Sequence, residues 1–226
     1  MKLSNDTIGI LKNFASINQG IYFKQGKTIK TISQQKTILA EAEISEEVPI
    51  NFGVYDLNNF LSVVSLHKDT TTFDFDANHV IIAGNGGRSK IQYRFCDPKL
   101  ITVPPEKEIT MPSEEISFTL KESDLDWVLR AASVLGSPQI AVQSDGSKIN
   151  LVTFDVSNDS AHTDALEVQD GNGDTYKMIF KTENLKMISG DYDVIISSSG
   201  ISNFKNKNVK IQYWIATEQG SKFTKS

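Results

Sequence analysis

Apolar residues recur along the chain at two spacings: helical in four segments, and alternating, as in half-buried strands, in most of the stretches between. From Ser4 to Asn18, the residues Ile8, Leu11, Phe14 or Ala15, and Ile17 fall on one helical face, with Ser4 placed to cap its start and Gly20 to end it. Three β-like runs follow, Ile21–Lys24, Thr28–Ser33 and Thr37–Ile44, parted by Gln25-Gly26 and Gln34-Gln35. Val48, Ile50, Phe52 and Val54 then alternate as one strand, and Asp56 caps a second helix with Leu57, Phe60, Leu61 and Val64 on one face. Strands at Thr71–Phe75, His79–Ala83 and Ser89–Phe95 complete the first half.

The second half repeats this scheme. Strand Ile116–Leu120 leads into a helix over Glu122–Leu135, then strands Ile140–Ser144, Lys148–Phe154 and Ala161–Val168. Strand Tyr176–Lys181 leads into a short helix Thr182–Ile188, then strands Asp191–Ser197, Gly200–Lys205 and Val209–Ala216. The hexapeptides KIQYRF at Lys90–Phe95 and KIQYWI at Lys210–Ile215 close the two halves in the same position, which marks a duplication. The predicted organisation is an N-terminal domain over 1–96, a linker over 97–113 with four prolines and neither helix nor strand, and a C-terminal domain over 114–226.

Composition and chemistry narrow the function classes. The opening MKLSNDTIGILKNF has no apolar core of a leader, and no apolar run approaches the length of a membrane helix, so a cytoplasmic chain without a membrane segment is expected. Lys and Arg number 12 against 12 Asp and Glu in residues 1–112, 6 against 15 in 113–195, and 5 against 1 in 196–226. A pI near 5.3 argues against a protein that wraps nucleic acid on a basic surface, but not against one that surrounds it. Cys96 stands alone and reads as a packing residue. His67, His79 and His162 lie far apart, outside any metal-ligand spacing, so neither a catalytic nor a metal site is expected. Gly84-Asn85-Gly86-Gly87 joins two strands and reads as a hairpin turn rather than a phosphate loop. The loop Asp170-Gly171-Asn172-Gly173-Asp174 begins like a calcium loop, but Thr175 and Lys181 stand where the bend glycine and the bidentate glutamate belong, which favours a plain turn. The pairs Asp74/Asp76 and Asp191/Asp193 read as solvated strand faces or ends.

Four strand, helix, three-strand units in tandem, together with the segments MKLSNDTIGILKNFASINQGI, VYDLNNFLSVVSL and NLKMISGDYDV, resemble the sliding clamps, the DNA polymerase processivity factors of T-even-type bacteriophages. The resemblance covers essentially the whole chain. It implies an α+β fold of two tandem DNA-clamp domains with antiparallel sheets outside and helices lining a ring. It also implies a homotrimer around double-stranded DNA, without cofactor, that tethers a replicative DNA polymerase and is opened by a clamp-loader ATPase in the cytoplasm of an infected bacterium. Twelve helices about 10 Å wide would enclose a hole of roughly 28 Å, which clears a duplex about 20 Å across.

Carried onto this chain, the resemblance places Lys12, Arg130 and Lys186 toward DNA, on stripes such as Asn5, Gly9, Lys12 and Ser16, and Glu122, Asp126, Arg130 and Ser133, which are less basic than in most clamps. It pairs Ser89–Phe95 with Ala161–Val168 of the next chain, setting Arg88, Lys90 and Arg94 against Asp164 and Glu167. A partner peptide would dock beside the linker on Leu39, Ile44, Leu100, Ile101, Val103, Pro104, Ile215 and Ala216; a solvated tether has no need of the apolar run at 100–103. A phage structural or baseplate-like β protein and a DNA-acting nuclease are the alternative readings.

Overall fold

The computed structural model describes residues 2–67 and 71–226, and the chain divides into two units, 1–108 and 109–226. Helix α1 (Asn5–Ile17) begins where the Ser4 hydroxyl accepts from the Thr7 amide at 3.2 Å, satisfying a donor that a first turn leaves without an intrahelical partner. Glu46 completes this start by accepting from the Thr7 hydroxyl at 2.5 Å and from the Ser4 amide. Burial opposes its charge, yet these bonds win and hold the carboxyl below its usual range. Gly20 does not end the helix. The turn is made at Asn18, whose backbone is extended and whose side chain donates to the carbonyls of Ile32 and Thr102 at 3.0 and 3.1 Å. Gly20 serves close approach instead, since a Cβ there would lie 2.0 Å from Ile101 Cγ2.

Strands β1 (Ile21–Phe23), β2 (Gly26–Ile32), β3 (Ile38–Val48) and β4 (Phe52–Val54) follow. β2 pairs with β3, but β1 pairs with β4, so the three runs after α1 do not form one meander. The alternating stretch from Val48 to Val54 is likewise two strands, interrupted from Pro49, which has no amide to donate. Helix α2 (Leu57–Ser65) starts at Asp56, which accepts from the Asn59 amide at 2.8 Å. It underlies a three-stranded sheet of β5 (Thr72–Phe75), β6 (His79–Gly84) and β7 (Ser89–Arg94), paired in that order. Phe60 of α2 meets Tyr93 of β7 edge-on at 5.2 Å, and the Tyr93 hydroxyl donates to the Asp56 carbonyl at 3.2 Å. The turn at 84–87 joins β6 to β7 with positive φ at Asn85, Gly86 and Gly87, conformations that asparagine and glycine tolerate best.

The second unit holds β8 (Ile116–Leu120), α3 (Glu122–Leu135), β9 (Gln139–Asp145), β10 (Lys148–Phe154), β11 (Asp164–Asp170), β12 (Thr175–Lys181), β13 (Tyr192–Ser197), β14 (Ile201–Asn206), β15 (Ile211–Ala216) and β16 (Lys222–Thr224). Two antiparallel arrays result, β11-β10-β9-β12-β16 and β15-β14-β13-β8. α3 lays Leu125, Val128 and Ala132 on β9, β10 and β11, and Gly136 ends it in the left-handed region. Lys121 makes no side-chain cap there; Asp191 does that work by accepting from the Glu122 amide at 2.9 Å, while Asp193 pairs with Lys207 at 3.1 Å.

The expected fourth helix is not formed. Thr182–Leu185 makes a single 3-10 turn, after which the backbone of Ile188 is claimed by two tyrosines: its carbonyl accepts from Tyr192 and its amide donates to the Tyr213 hydroxyl at 3.2 Å. Burial raises both phenols, Tyr192 to about 12. The described residues thus hold three α-helices, not four. β16 was not expected from the pattern; it joins β12 with Phe223 stacked on Tyr176 at 6.3 Å. The linker is also more ordered than its prolines suggest, with a 3-10 turn at Pro98–Leu100 led by Asp97, and Glu106 paired with Lys24 at 2.9 Å.

The start of β8 is fastened by a carboxylate. Glu115 accepts from the hydroxyls of Ser198 and Ser113, each at 2.7 Å, and from the Ser198 amide at 3.1 Å. The Ser198 hydroxyl bond, aided by Ser113 against a smaller desolvation, holds its pKa down to about 2 from 4.5. A depressed carboxyl contributes stability that is complete above the unfolded value and lost as pH falls through the folded one. The urea midpoint should therefore decline between about pH 4.5 and pH 2, and Glu115→Gln should flatten part of that decline; because the group is largely solvated, the difference should be small.

Candidate DNA, subunit and partner surfaces

Lys12 is exposed on α1 and Arg130 on α3, where its Nε donates to the Asp126 carbonyl at 3.2 Å. Lys186 is exposed too, but it follows the 3-10 turn instead of riding on a helix. The polar stripes expected on α1 and α3 are exposed throughout. Beside α1 lies a cavity of about 400 Å³ whose lining includes Lys2, Lys12, Ser4, Asn5 and Ser65. Lys2 thus joins Lys12 at the helix start, a basic residue the sequence periodicity missed because it precedes the helix. α2, from Leu57 to Leu66, carries no charge at all.

The two strands expected at the subunit contact are both sheet edges. β7 has β6 on one side and β11 has β10, and the second side of each has no strand partner among the described residues. β11 spans Asp164–Asp170, three residues later than its expected start. Tyr93 and Ile91 lie opposite the buried Val80 and Ile82 of β6, so they face α2, and Lys90, Gln92 and Arg94 face outward. On β11, Asp164 and Leu166 lie opposite the buried Thr153 and Leu151 and face α3, where Asp164 accepts from the Trp127 indole at 3.1 Å. Glu167 faces outward and pairs with Lys148 at 2.9 Å. The two acids expected to act together are therefore on opposite faces, because they stand three positions apart and a strand repeats its facing every two. Of the two acids, only Glu167 points away from its helix, as Lys90 and Arg94 point away from theirs. Arg88 lies in the turn before β7.

Of the eight residues expected to receive a partner peptide, Leu39, Ile44 and Ile215 are buried, and Ile101 is seated against Gly20 and Gly53. Leu100 and Val103 are 65% and 37% exposed, and Pro104 and Ala216 are half-buried. The linker does form one wall of a groove of about 360 Å³ in the first unit, where Val103, Pro104 and Pro105 face Tyr22, Lys27 and Lys30. The basic residues of β2 were not expected there, since nothing in their own segment indicates that the linker lies alongside.

Among the described residues, no group of three or more His, Cys, Asp or Glu side chains is placed to hold a metal ion, and no helix is long and apolar enough to cross a membrane. Cys96 is half-buried, its amide donating to the Gly53 carbonyl at 3.0 Å, and burial pushes its thiol up. The loop at 171–174 joins β11 to β12 and is closed by Asn172, whose side chain accepts from the Asp174 amide at 3.1 Å.

Residues 4–103 match the family model of the DNA polymerase processivity factor, and residues 117–219 match that of the gp45 sliding clamp, C terminal. The chain is 36% identical over 224 residues to the sliding clamp of Vibrio phage KVP40, covering 96% of this chain and 99% of that protein. It is 34% identical over 229 residues to the sliding clamp of Enterobacteria phage T4, covering 98% of each. Among solved structures, PCNA from Thermococcus kodakaraensis superposes with a TM-score of 0.68 at 14% identity, covering 94% of this chain and 96% of that one. The Helicobacter pylori beta clamp bound to a DNA ligase peptide gives 0.72 at 12% identity, covering 96% of this chain and 65% of that one.

Proposed function

This chain belongs to the sliding-clamp family of DNA polymerase processivity factors, and from that premise we propose that it closes as a homotrimer around duplex DNA and holds the replicative polymerase to its template. A clamp-loader ATPase opens the ring, and the work is done in the cytoplasm of an infected bacterium. Retention by a closed ring needs neither base readout nor a catalytic group. Neither the structural-protein nor the nuclease reading is supported by the relatives, which are sliding clamps. The three described α-helices per chain bring nine rather than twelve to such a ring, with the turn at Thr182–Leu185 in the fourth place of each protomer.

The observation that carries this reading is the pair of unpaired strand edges, one in each unit, with basic residues on β7 and an acid on β11. Open edges of this kind invite strand addition, and two complementary edges on one chain generate a head-to-tail ring. We assign Lys90 and Arg94 to the neighbour's Glu167 on the outward face. The groove between β2 and the linker suits an extended segment of the polymerase with apolar anchors, complementary to Val103 and Pro104, and an acidic flank, complementary to Lys27, while Lys30 is already paired with Glu41.

Sedimentation equilibrium tests the ring directly. The wild-type chain should sediment as a trimer at micromolar concentration, Arg94→Glu should shift it toward monomer, and added salt should weaken association. A monomeric wild type, or a variant that associates as well as wild type at every salt concentration, overturns the edge pairing.

A further inference from the structure

Asparagine is followed by glycine at two places, Asn85-Gly86 and Asn172-Gly173, each in a loop between strands. The dipeptide carries a chemistry of its own. Glycine leaves the amide nitrogen after the asparagine unshielded by any side chain, and asparagine is among the thermolabile residues. Whether the reaction proceeds depends on how firmly the fold holds that nitrogen and its surroundings.

The two loops are held very differently. At 171–174 both reacting groups are engaged: the Gly173 amide donates to the Gly146 carbonyl at 3.0 Å, and the Asn172 side chain accepts from the Asp174 amide and donates to the Asp174 carboxylate, each at 3.1 Å. The Gly171 amide adds a third tie, to the Ser147 carbonyl at 2.7 Å. Attack there must first break these bonds. Across the turn at 85–88, the Arg88 amide donates to the Asn85 carbonyl at 3.4 Å, long for a bond of this kind. Asn85, Gly86 and Gly87 are exposed with positive φ, and a Cβ on either glycine would meet nothing within 4 Å. Two successive glycines in open space give the backbone freedom to leave the left-handed region and bring the Gly86 nitrogen onto the Asn85 side chain.

We propose that Asn85 is a site of spontaneous covalent modification, conversion to aspartate and isoaspartate, and that the product weakens the subunit contact. The Gly86 amide nitrogen, losing its proton to solvent base, bonds to the Asn85 side-chain carbonyl carbon, and the side-chain nitrogen leaves as ammonia. Water then opens the resulting succinimide at one of its two carbonyls; the net change is water consumed and ammonia released, with no oxidation or reduction. Both products place a carboxylate three positions from Arg88 and next to the turn into β7, where the outward face carries Lys90. Isoaspartate also lengthens the backbone by one carbon inside the turn that sets Gly84 opposite Ser89. The effect on assembly rests on the edge pairing proposed above, since β7 offers cations to an acid of the next chain and a new anion there opposes that match. The modification itself does not depend on that reading.

The test is incubation of the full-length chain in mildly alkaline buffer. Isoaspartyl methyltransferase labelling, located by peptide mass spectrometry, should find about tenfold more product at residue 85 than at residue 172, and more as pH rises, because the attacking amide must lose its proton. Asn85→Gln should remove most of the label and Asn172→Gln little of it, with circular dichroism showing both variants folded. In sedimentation equilibrium, aged wild type and freshly made Asn85→Asp should associate more weakly than fresh wild type, whereas aged Asn85→Gln should not weaken. Label at residue 172 equal to or above that at 85 overturns the site. Label at 85 with undiminished association, in a wild type that trimerises and that Arg94→Glu dissociates, overturns the effect on the ring. Failure of the edge pairing shows separately, as fresh wild type that does not associate, and the labelling then still decides the site.

Discussion

Loaded onto a closed circular duplex, the protein should stay bound as salt rises, and cutting that circle should release it. The size of the effect separates topology from surface contact. If Lys12, Arg130 and Lys186 of three protomers held phosphates directly, nine contacts would make affinity fall by about 10⁴ to 10⁵ over a fourfold rise in salt. A closed ring has no such dependence, provided the salt range is one in which sedimentation shows the trimer intact. Replacing all three residues with alanine should slow loading or change sliding without shortening the lifetime on the circle. Equal, steeply salt-dependent loss from circular and linear DNA is the result that overturns retention by encirclement. The acidic neighbours Glu122 and Asp126 on the α3 stripe point the same way, since a stripe bearing one cation and two acids is a poor phosphate clamp.

Changing Val103 of the linker groove and Leu100, exposed on the linker turn three positions before it, together to aspartate should abolish stimulation of the polymerase while the trimer persists. Both side chains reach solvent, so the fold loses little. A docked apolar segment would lose burial worth about 1.5 kcal/mol or more at each position, together roughly a hundredfold in affinity. Ile101 is the wrong residue to change, because its side chain fills the space that Gly20 and Gly53 leave open, and aspartate there would disturb the first unit itself. Undiminished stimulation by an intact doubly substituted ring would place the docking site elsewhere. Reversing Lys27 to glutamate should weaken the same interaction less, as rim charges mainly affect encounter rate and specificity.

The features legible in the sequence are those written locally. Helix starts at Ser4 and Asp56 follow from hydroxyl and carboxylate oxygens positioned to accept amides of their own first turns. β8, α3 and β10 have the bounds their periodicity predicts, because each lays one apolar face on a core that the opposite face does not touch. Segment 182–188 has a helical pattern but not a helix, since Tyr192 and Tyr213 from other strands satisfy the backbone of Ile188 in place of its own turn. A single-chain pattern also cannot say which strands are edges. Tyr93 and Tyr213 occupy the same place in a repeated hexapeptide, yet Tyr93 is half-exposed at an open edge and Tyr213 is buried.

By itself, then, the sequence determined most of the repeated order of strands and helices, the caps at Ser4 and Asp56, which act within their own first turns, and the family to which that order belongs. Only the tertiary structure decided that Leu39, Ile44 and Ile215 are buried while Lys27 and Lys30 border the linker groove, and that β7 and β11 are open edges. Those outcomes depend on register and on which distant segment covers each face, quantities that pairing between strands sets and that no local spacing encodes.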